Sequence, residues 1–204
     1  MHEKVLNKEG RVFLPHLAKF NKYYLAGGTA LALQLGHRIS VDFDFFQSKK
    51  IPRSLWRGVE REFVGFPQKL LVNNSDELTL IVGQTKLTFL AYNFPRLFPL
   101  VKWRGLSLAS VREIAAMKAY TIGRRGLFKD YIDLYYIIKN GLFLGHILND
   151  ANKKYGESFD VRLFLEQLIY TEDINDTAIR FIGRAVTLAA VRRFFEQEVK
   201  KIKL

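Results

Sequence analysis

Residues 23–46 read YYLAGGTALALQLGHRISVDFDFF: a short apolar run, a glycine pair, a leucine-rich stretch, and two aspartates alternating with phenylalanines. Successive side chains of a strand point to opposite faces. A strand over 41–46 therefore directs Asp42 and Asp44 to one face and Phe43 and Phe45 together into the other. The two aspartate Cα atoms then stand roughly 6.5–7 Å apart, so both carboxylates reach one cation, and hard oxygen donors suit Mg²⁺. Aspartate is depleted in strands, and a desolvated carboxylate is costly unless paired. Two of them in an otherwise apolar strand ask for a positive partner.

Ahead of the aspartates, 23–26 reads as a strand and 30–35 as a helix, with Gly27, Gly28 and Thr29 turning one into the other. Glycine lets backbone approach a phosphate closely, and the exposed amides of a helix N-terminus favour anions. Thr29 is placed to cap the helix or to hydrogen-bond a phosphate oxygen. Taken singly, Gly-Gly-Thr is also an ordinary capped turn and Asp-Phe-Asp an ordinary solvated edge strand. In this order they specify a site for a metal and a nucleoside triphosphate.

The arrangement resembles the first motif of the nucleotidyltransferase superfamily: Gly-Gly or Gly-Ser, about nine to thirteen residues, then Asp-x-Asp or Asp-x-Glu. More narrowly, GGTALALQLGHRISVDFDFF resembles the AbiEii/AbiGii toxin family. The His-Arg-x-Ser-x-Asp-x-Asp portion at 37–44 sets that family apart from polymerases and aminoglycoside-modifying enzymes. The resemblance implies transfer of a nucleotide from an NTP to an acceptor, with pyrophosphate leaving and Mg²⁺ (or Mn²⁺) held by Asp42 and Asp44. Gly27, Gly28, Thr29, Arg38 and Ser40 would then bind the nucleotide. It further implies the toxin half of a toxin–antitoxin pair, with a separately encoded antitoxin and RNA, tRNA above all, as acceptor.

A second segment, SVREIAAMKAYTIGRRGLFKDYIDLYYII at 110–138, reads as two amphipathic helices separated by Gly123 and Gly126. The first carries Lys118; the second carries Lys129, Asp130 and Asp133. This is similar to the lysine-bearing helix and the basic-Asp-x-x-Asp-Leu helix of the same family. By that resemblance Lys118 holds triphosphate oxygens, Asp130 orients the lysine or takes a proton from the acceptor, and Asp133 belongs to the catalytic set. Apart from the family, an ammonium is a compact charge suited to phosphate, and aspartates three apart share a helical face. Acidic residues in a first turn also stabilise a helix through its dipole, and Lys129 with Asp133 is an ordinary i,i+4 pair. Arg124 and Arg125 occupy the turn, placed to meet phosphate or solvent.

The chain departs from the superfamily pattern at a third carboxylate. The candidate strand over 86–92, KLTFLAY, carries no acid, and only Asp76 and Glu77 lie near, in a turn. Either Asp130 or Asp133 supplies the base from the helical half, or the enzyme works without a strand-borne base. Catalytic inertness is disfavoured by retention of both metal carboxylates.

With 204 residues, 49% of them hydrophobic, the chain can bury a full core as one large domain or two small ones. It has no cysteine, which excludes disulfides, thiol catalysis and cysteine-ligated zinc. The first thirty residues do not read as a signal peptide, and no run reaches eighteen apolar residues; a cytoplasmic protein that does not enter membranes is expected. Lys and Arg number 32 against 20 acidic residues, a formal charge of +12, which draws polyanions by long-range steering. Eight basic residues face three acidic ones between 101 and 140. A basic nucleic-acid-binding module with a non-catalytic nucleotide pocket is the alternative these charges allow.

Periodicity and breakers predict helices at 8–20 and 52–63 and strands at 68–73, 78–82 and 86–92, with Pro95 and Pro99 closing the sheet. Helices follow at 110–122, 127–139, 142–154, 160–170 and 175–200, the last with Ile179, Ile182, Val186, Ala189 and Ala190 at helical spacing. The expected fold class is α/β (α+β): a small mixed β-sheet nucleotidyltransferase core with N-terminal and flanking helices, then a C-terminal helical bundle. The expected division is a core at 1–106 and a helical domain at 107–204 that packs on the core and completes the active site.

Overall fold

A computed structural model describes residues 1–122, 124–172, 174 and 178–202. The chain forms two compact units, one of Met1–Pro95 with Pro99–Ser110, the other of Arg96–Phe98 with Val111–Leu204. No helix among the described residues is long and apolar enough to cross a membrane.

The first unit is built on a mixed seven-stranded sheet. In chain order its elements are α1 (Lys8–Leu17), β1 (Tyr24–Ala26), α2 (Gly27–Leu35), β2 (Phe43–Gln47), α3 (Ser54–Glu62), β3 (Gln68–Asn73), β4 (Glu77–Val82), β5 (Thr85–Ala91), β6 (Val101–Trp103) and β7 (Leu106–Leu108). The strands lie in the order β3-β4-β5-β2-β1-β7-β6. The motif strand β2 is thus the middle one, antiparallel to β1 and parallel to β5. Alternation drives Phe43 and Phe45 into the core, where Phe45 stacks on Phe89 with ring centres 5.1 Å apart. Phe13 of α1 meets Phe63 and Phe66 edge-on at 4.9 and 5.0 Å. Full burial of such a side chain is worth about 1.5–3 kcal/mol, and these rings hold α1 and the end of α3 on the sheet. Asn7 caps α1 by accepting from the Gly10 amide at 2.7 Å.

The mixed sheet with flanking helices matches the expected fold class, and three local expectations are corrected. Helix α2 begins at Gly27 itself, because Gly27 at φ 66° makes the strand-to-helix turn alone. The ladder of β2 begins at Phe43, so Asp42 lies just before the strand instead of within it. The sheet does not end at Pro99: β6 and β7 form a hairpin on the far side of β1, with Leu108 beside Leu25. Its two-residue turn, Arg104 and Gly105, has φ of 46° and 78°, the positive values that fit the twist of paired strands.

The second unit holds helices α4 (Val111–Ile122), α5 (Phe128–Lys139), α6 (Leu144–Tyr155), α7 (Val161–Ile169) and α8 (Leu188–Val199), around Ile114, Ile132, Ile147, Phe164, Leu168 and Phe195. A polar seam joins α4 to α6. Lys154 meets Glu113 at 2.6 Å with both side chains wholly buried, and Arg112 grips Asp150 with two bonds. The other Glu113 oxygen accepts from the Leu97 and Phe98 amides, which ties 96–98 to this unit. The expected helix over 175–200 is shorter: α8 starts at Leu188, where the Thr187 hydroxyl caps the Ala190 amide. Residues 178–187 are not helical. Gly183 at φ 96° interrupts the regular spacing of Ile179, Ile182 and Val186. Gly123, read as a helix break, and 175–177, read as the start of the last helix, lie outside the described residues.

Candidate active site

The strand β1 delivers its last residue, Ala26, opposite Asp44 of β2, and the next residue, Gly27, opens α2 directly over that carboxylate. A Cβ on Gly27 would stand 2.9 Å from Asp44 Oδ2. One on Gly28 would collide with the Arg38 guanidinium and touch Ser40 Oγ at 3.5 Å. The glycines are therefore required by close approach: a carboxylate packs on one and a guanidinium on the other. The N-cap position of α2, Ala26, offers no side-chain acceptor, so the amides of this first turn keep their affinity for anions.

The loop after α2 is fixed by Thr29. Its buried hydroxyl bonds Ser40 Oγ at 2.8 Å and the Asp42 carbonyl oxygen. A hydroxyl has one hydrogen; with the carbonyl taking it, the Ser40 hydroxyl donates to Thr29. The same loop buries His37 and Arg38, whose Nη1 donates to the Ile39 carbonyl at 3.2 Å. Asp42 Oδ1 accepts from the Lys86 amide of β5 at 3.4 Å. Both motif carboxylates are half-buried, and the neighbour of Asp44 on β5 is Thr88. Lys86 and Thr88 escaped the sequence reading because the parallel pairing of β2 with β5 leaves no local trace.

In the second unit, Lys118 of α4 lies 2.6 Å from Asp130 and 2.6 Å from Asp133, both on α5 and both wholly buried. Arg125 adds a two-toothed contact to Asp130 at 2.9 and 3.3 Å. Burial alone would raise the Asp130 carboxyl, but the Lys118 ammonium and the Arg125 guanidinium outweigh it and hold it below the usual carboxylate range. Lys129 and Asp133 were readable as a surface pair; instead Asp133 turns inward to Lys118. Each unit thus gathers its own set: Gly27, Gly28, Thr29, Arg38, Ser40, Asp42 and Asp44 in the first, Lys118, Asp130 and Asp133 in the second.

Gly27→Ala tests the first set. Holding alanine at φ 66° costs about 1–2 kcal/mol, and the new methyl must push the Asp44 carboxylate aside. Unfolding in urea should show that modest loss, whereas nucleotide transfer should fall about 10²-fold, as expected for a misplaced reacting group. Wild-type turnover in this variant would separate the glycine from the chemistry.

A carboxylate strand at the centre of a mixed sheet, facing a glycine-opened helix, defines the nucleotidyltransferase class. The fold is shared with two solved structures. JHP933 from Helicobacter pylori aligns with TM-score 0.58 at 20% identity, covering 98% of this chain and 91% of its own. MenT4, a nucleotidyltransferase toxin from Mycobacterium tuberculosis, aligns with TM-score 0.66 at 18% identity, covering 95% and 82%. An uncharacterized protein of Aquifex aeolicus is 32% identical over 203 residues, 96% of this chain and 97% of its own. Residues 11–95 match the family described as nucleotidyl transferase AbiEii toxin, type IV TA system. The chain belongs to this AbiEii family of nucleotidyltransferases.

Proposed function

We propose that the protein transfers a nucleotide from an NTP to an RNA acceptor, tRNA in particular, in a reaction dependent on Mg²⁺ or Mn²⁺, and that it acts in the cytoplasm as a toxin countered by a separately encoded antitoxin. The observation that carries this reading is the meeting of Asp44 and Arg38 with the first turn of α2, which sets an anion, a cation and free amides around one spot.

The donor set fits a hard divalent cation. Asp42 and Asp44 offer carboxylate oxygens, and among the described residues no group of three or more His, Cys, Asp or Glu gathers. Magnesium is commonly held in this way, by one or two carboxylates with water and substrate phosphate completing the shell. When bound, it would neutralise charge on the phosphates during in-line displacement. The amides of Gly27 and Gly28 donate to triphosphate oxygens at close range, Arg38 balances its charge, and Thr29 and Ser40 hold the loop that carries Arg38 and Asp42. Lys118, oriented by Asp130 and Asp133, is assigned to triphosphate oxygens. The acceptor hydroxyl forms a bond to the α-phosphorus as the bond to the pyrophosphate oxygen breaks, and its proton leaves to solvent or to a nearby carboxylate. The family's description as a toxin of a type IV system supports the antitoxin partner, and the net charge of +12 supports the RNA acceptor.

The test is to incubate the protein with Mg²⁺, each α-³²P-labelled NTP in turn and total cellular RNA. Label should enter RNA, and EDTA should abolish it. Label on protein or small molecules would replace the acceptor. No label anywhere, with RNA still retained on a filter, would favour the binding module.

A further inference from the structure

Sheet alternation also decides which side chains share a face with the motif carboxylate. Asp44 is in register with Thr88 of β5, and Thr88 with Thr79 of β4. Residues two apart on a strand lie on one face. Lys86 of β5, Ile81 of β4 and Lys69 of β3, in register with one another, therefore form a second row on the Asp44 face. The register shift of β3 falls beyond Lys69, between Leu70 and Val72. Burial agrees: Leu78, Leu80, Leu87 and Phe89 close the other face, while Lys86 is half-buried and Lys69 exposed. The two lysines stand two strand spacings apart, roughly 9.5 Å between Cα atoms. Lys86 begins at the motif itself, since its amide donates to Asp42 Oδ1, and Lys69 ends at the open edge of the sheet.

Neither lysine meets an acid among the described residues. Strands β3, β4 and β5 contain one acidic residue, Glu77, which lies four residues along β4 from Ile81 and accepts from the Thr79 hydroxyl. On the opposite wing the cations are engaged: Lys102 of β6 donates to Ser107 at 2.7 Å, and Arg104 of the β6–β7 turn meets Glu3 at 2.6 Å. The reaction geometry says which reactant the β5 wing serves. The triphosphate is assigned to the first turn of α2, which follows β1, and β1 and β5 flank β2 on opposite sides. In an in-line displacement the attacking and leaving oxygens lie on opposite sides of the phosphorus. With pyrophosphate leaving on the β1 side, the attacking hydroxyl arrives from the β5 side, over the lysine row. We infer that Lys86 and Lys69 form an acceptor track, holding backbone phosphates of a single-stranded RNA end so that its terminal hydroxyl reaches Asp42 and Asp44. Lysine is a point charge that grips phosphate without reading a base, so the track is indifferent to sequence. The inference rests on the proposed nucleotide transfer and gives its acceptor a path, but the RNA contact can be read without turnover.

The test is retention of a 5′-labelled single-stranded RNA oligonucleotide on a filter by the full chain, in EDTA, across a salt series. The double variant Lys69→Gln with Lys86→Gln should bind about 25-fold more weakly at 0.1 M salt, and its slope of log K against log salt should be shallower by about 1.4, the loss of two phosphate contacts to a single strand. Lys22→Gln with Lys153→Gln removes the same charge from exposed positions outside this face and should leave affinity and slope near wild type. Lys69→Arg with Lys86→Arg should retain binding. In transfer assays the Gln pair should raise the KM for RNA and leave the KM for NTP in place. Asp42→Asn should lose transfer and keep RNA retention, so a failed catalytic reading shows as absent transfer with the lysine dependence intact. No retention by the wild type, wild-type affinity in the Gln pair, or an equal loss in the Lys22 and Lys153 control would overturn the track. A loss confined to NTP affinity would also overturn it and would make Lys86 a triphosphate ligand instead.

Discussion

Asp44→Asn is expected to reduce nucleotide transfer by about 10³-fold or more while the protein melts within a few degrees of wild type. The substitution keeps size and hydrogen-bonding shape and removes only charge. Backbone pairing of residue 44 with Ala26 on one side and Thr88 on the other does not depend on the side chain, and the phenylalanines on either side stay buried. What is lost is a carboxylate oxygen beside the first turn of α2, where a cation and the phosphates would meet. Electrostatic stabilisation from a bound metal is worth several kcal/mol in the transition state, and each 1.36 kcal/mol is tenfold in rate. Initial rates with labelled NTP, beside a thermal melt, decide it; full activity would remove Asp44 from the proposed metal site.

Lys118→Met should be strongly destabilising. One ammonium serves two wholly buried carboxylates, and removing the partner of a buried charge costs about 3–5 kcal/mol. Arg125 still reaches Asp130, so Asp133 bears most of the loss. The pH dependence follows in sign. In the wild type Asp130 is held below its unfolded value of about 3.9, so its contribution is fully present above that value and disappears as pH falls through the folded one. In Lys118→Met the Asp130 carboxyl keeps only the Arg125 guanidinium against its burial, so the folded state takes up a proton there more readily, and the deficit should narrow from pH 7 to pH 5. Adding Asp133→Asn should restore part of the stability without restoring transfer. Urea unfolding of the three proteins at both pH values tests this; a Lys118→Met protein as stable as wild type at pH 7 would refute the shared-cation account.

The motif was legible because its physics is local. Glycines at a strand-to-helix turn and aspartates between phenylalanines mean the same thing in any chain, and Asp44 and Phe45 face as alternation requires. Asp42 shows where that stops: its place before the strand is held by the Thr29 hydroxyl and by an amide 44 residues away, and no periodicity reports a parallel neighbour. Strands β6 and β7 are three residues each, too short for a pattern, although Arg-Gly between two apolar runs was a usable turn signal. The last helix was overextended because apolar spacing ran on past Gly183, whose backbone breaks it. Lys118, Asp130 and Asp133 were visible as residue types; that one lysine serves both acids emerges only once α4 packs on α5.

The position of β2, with three strands to either side of it in the sheet, bears on how the molecule fails. A carboxylate on a peripheral strand can be released by local fraying, leaving a folded but idle protein. Here Asp44 is laced between two neighbours, and the residues on either side of it are plugged into the aromatic core. The site has no melting point of its own: heat spares it until the whole sheet gives way, and the adjustments that admit different substrates must come from parts of the chain that border this strand.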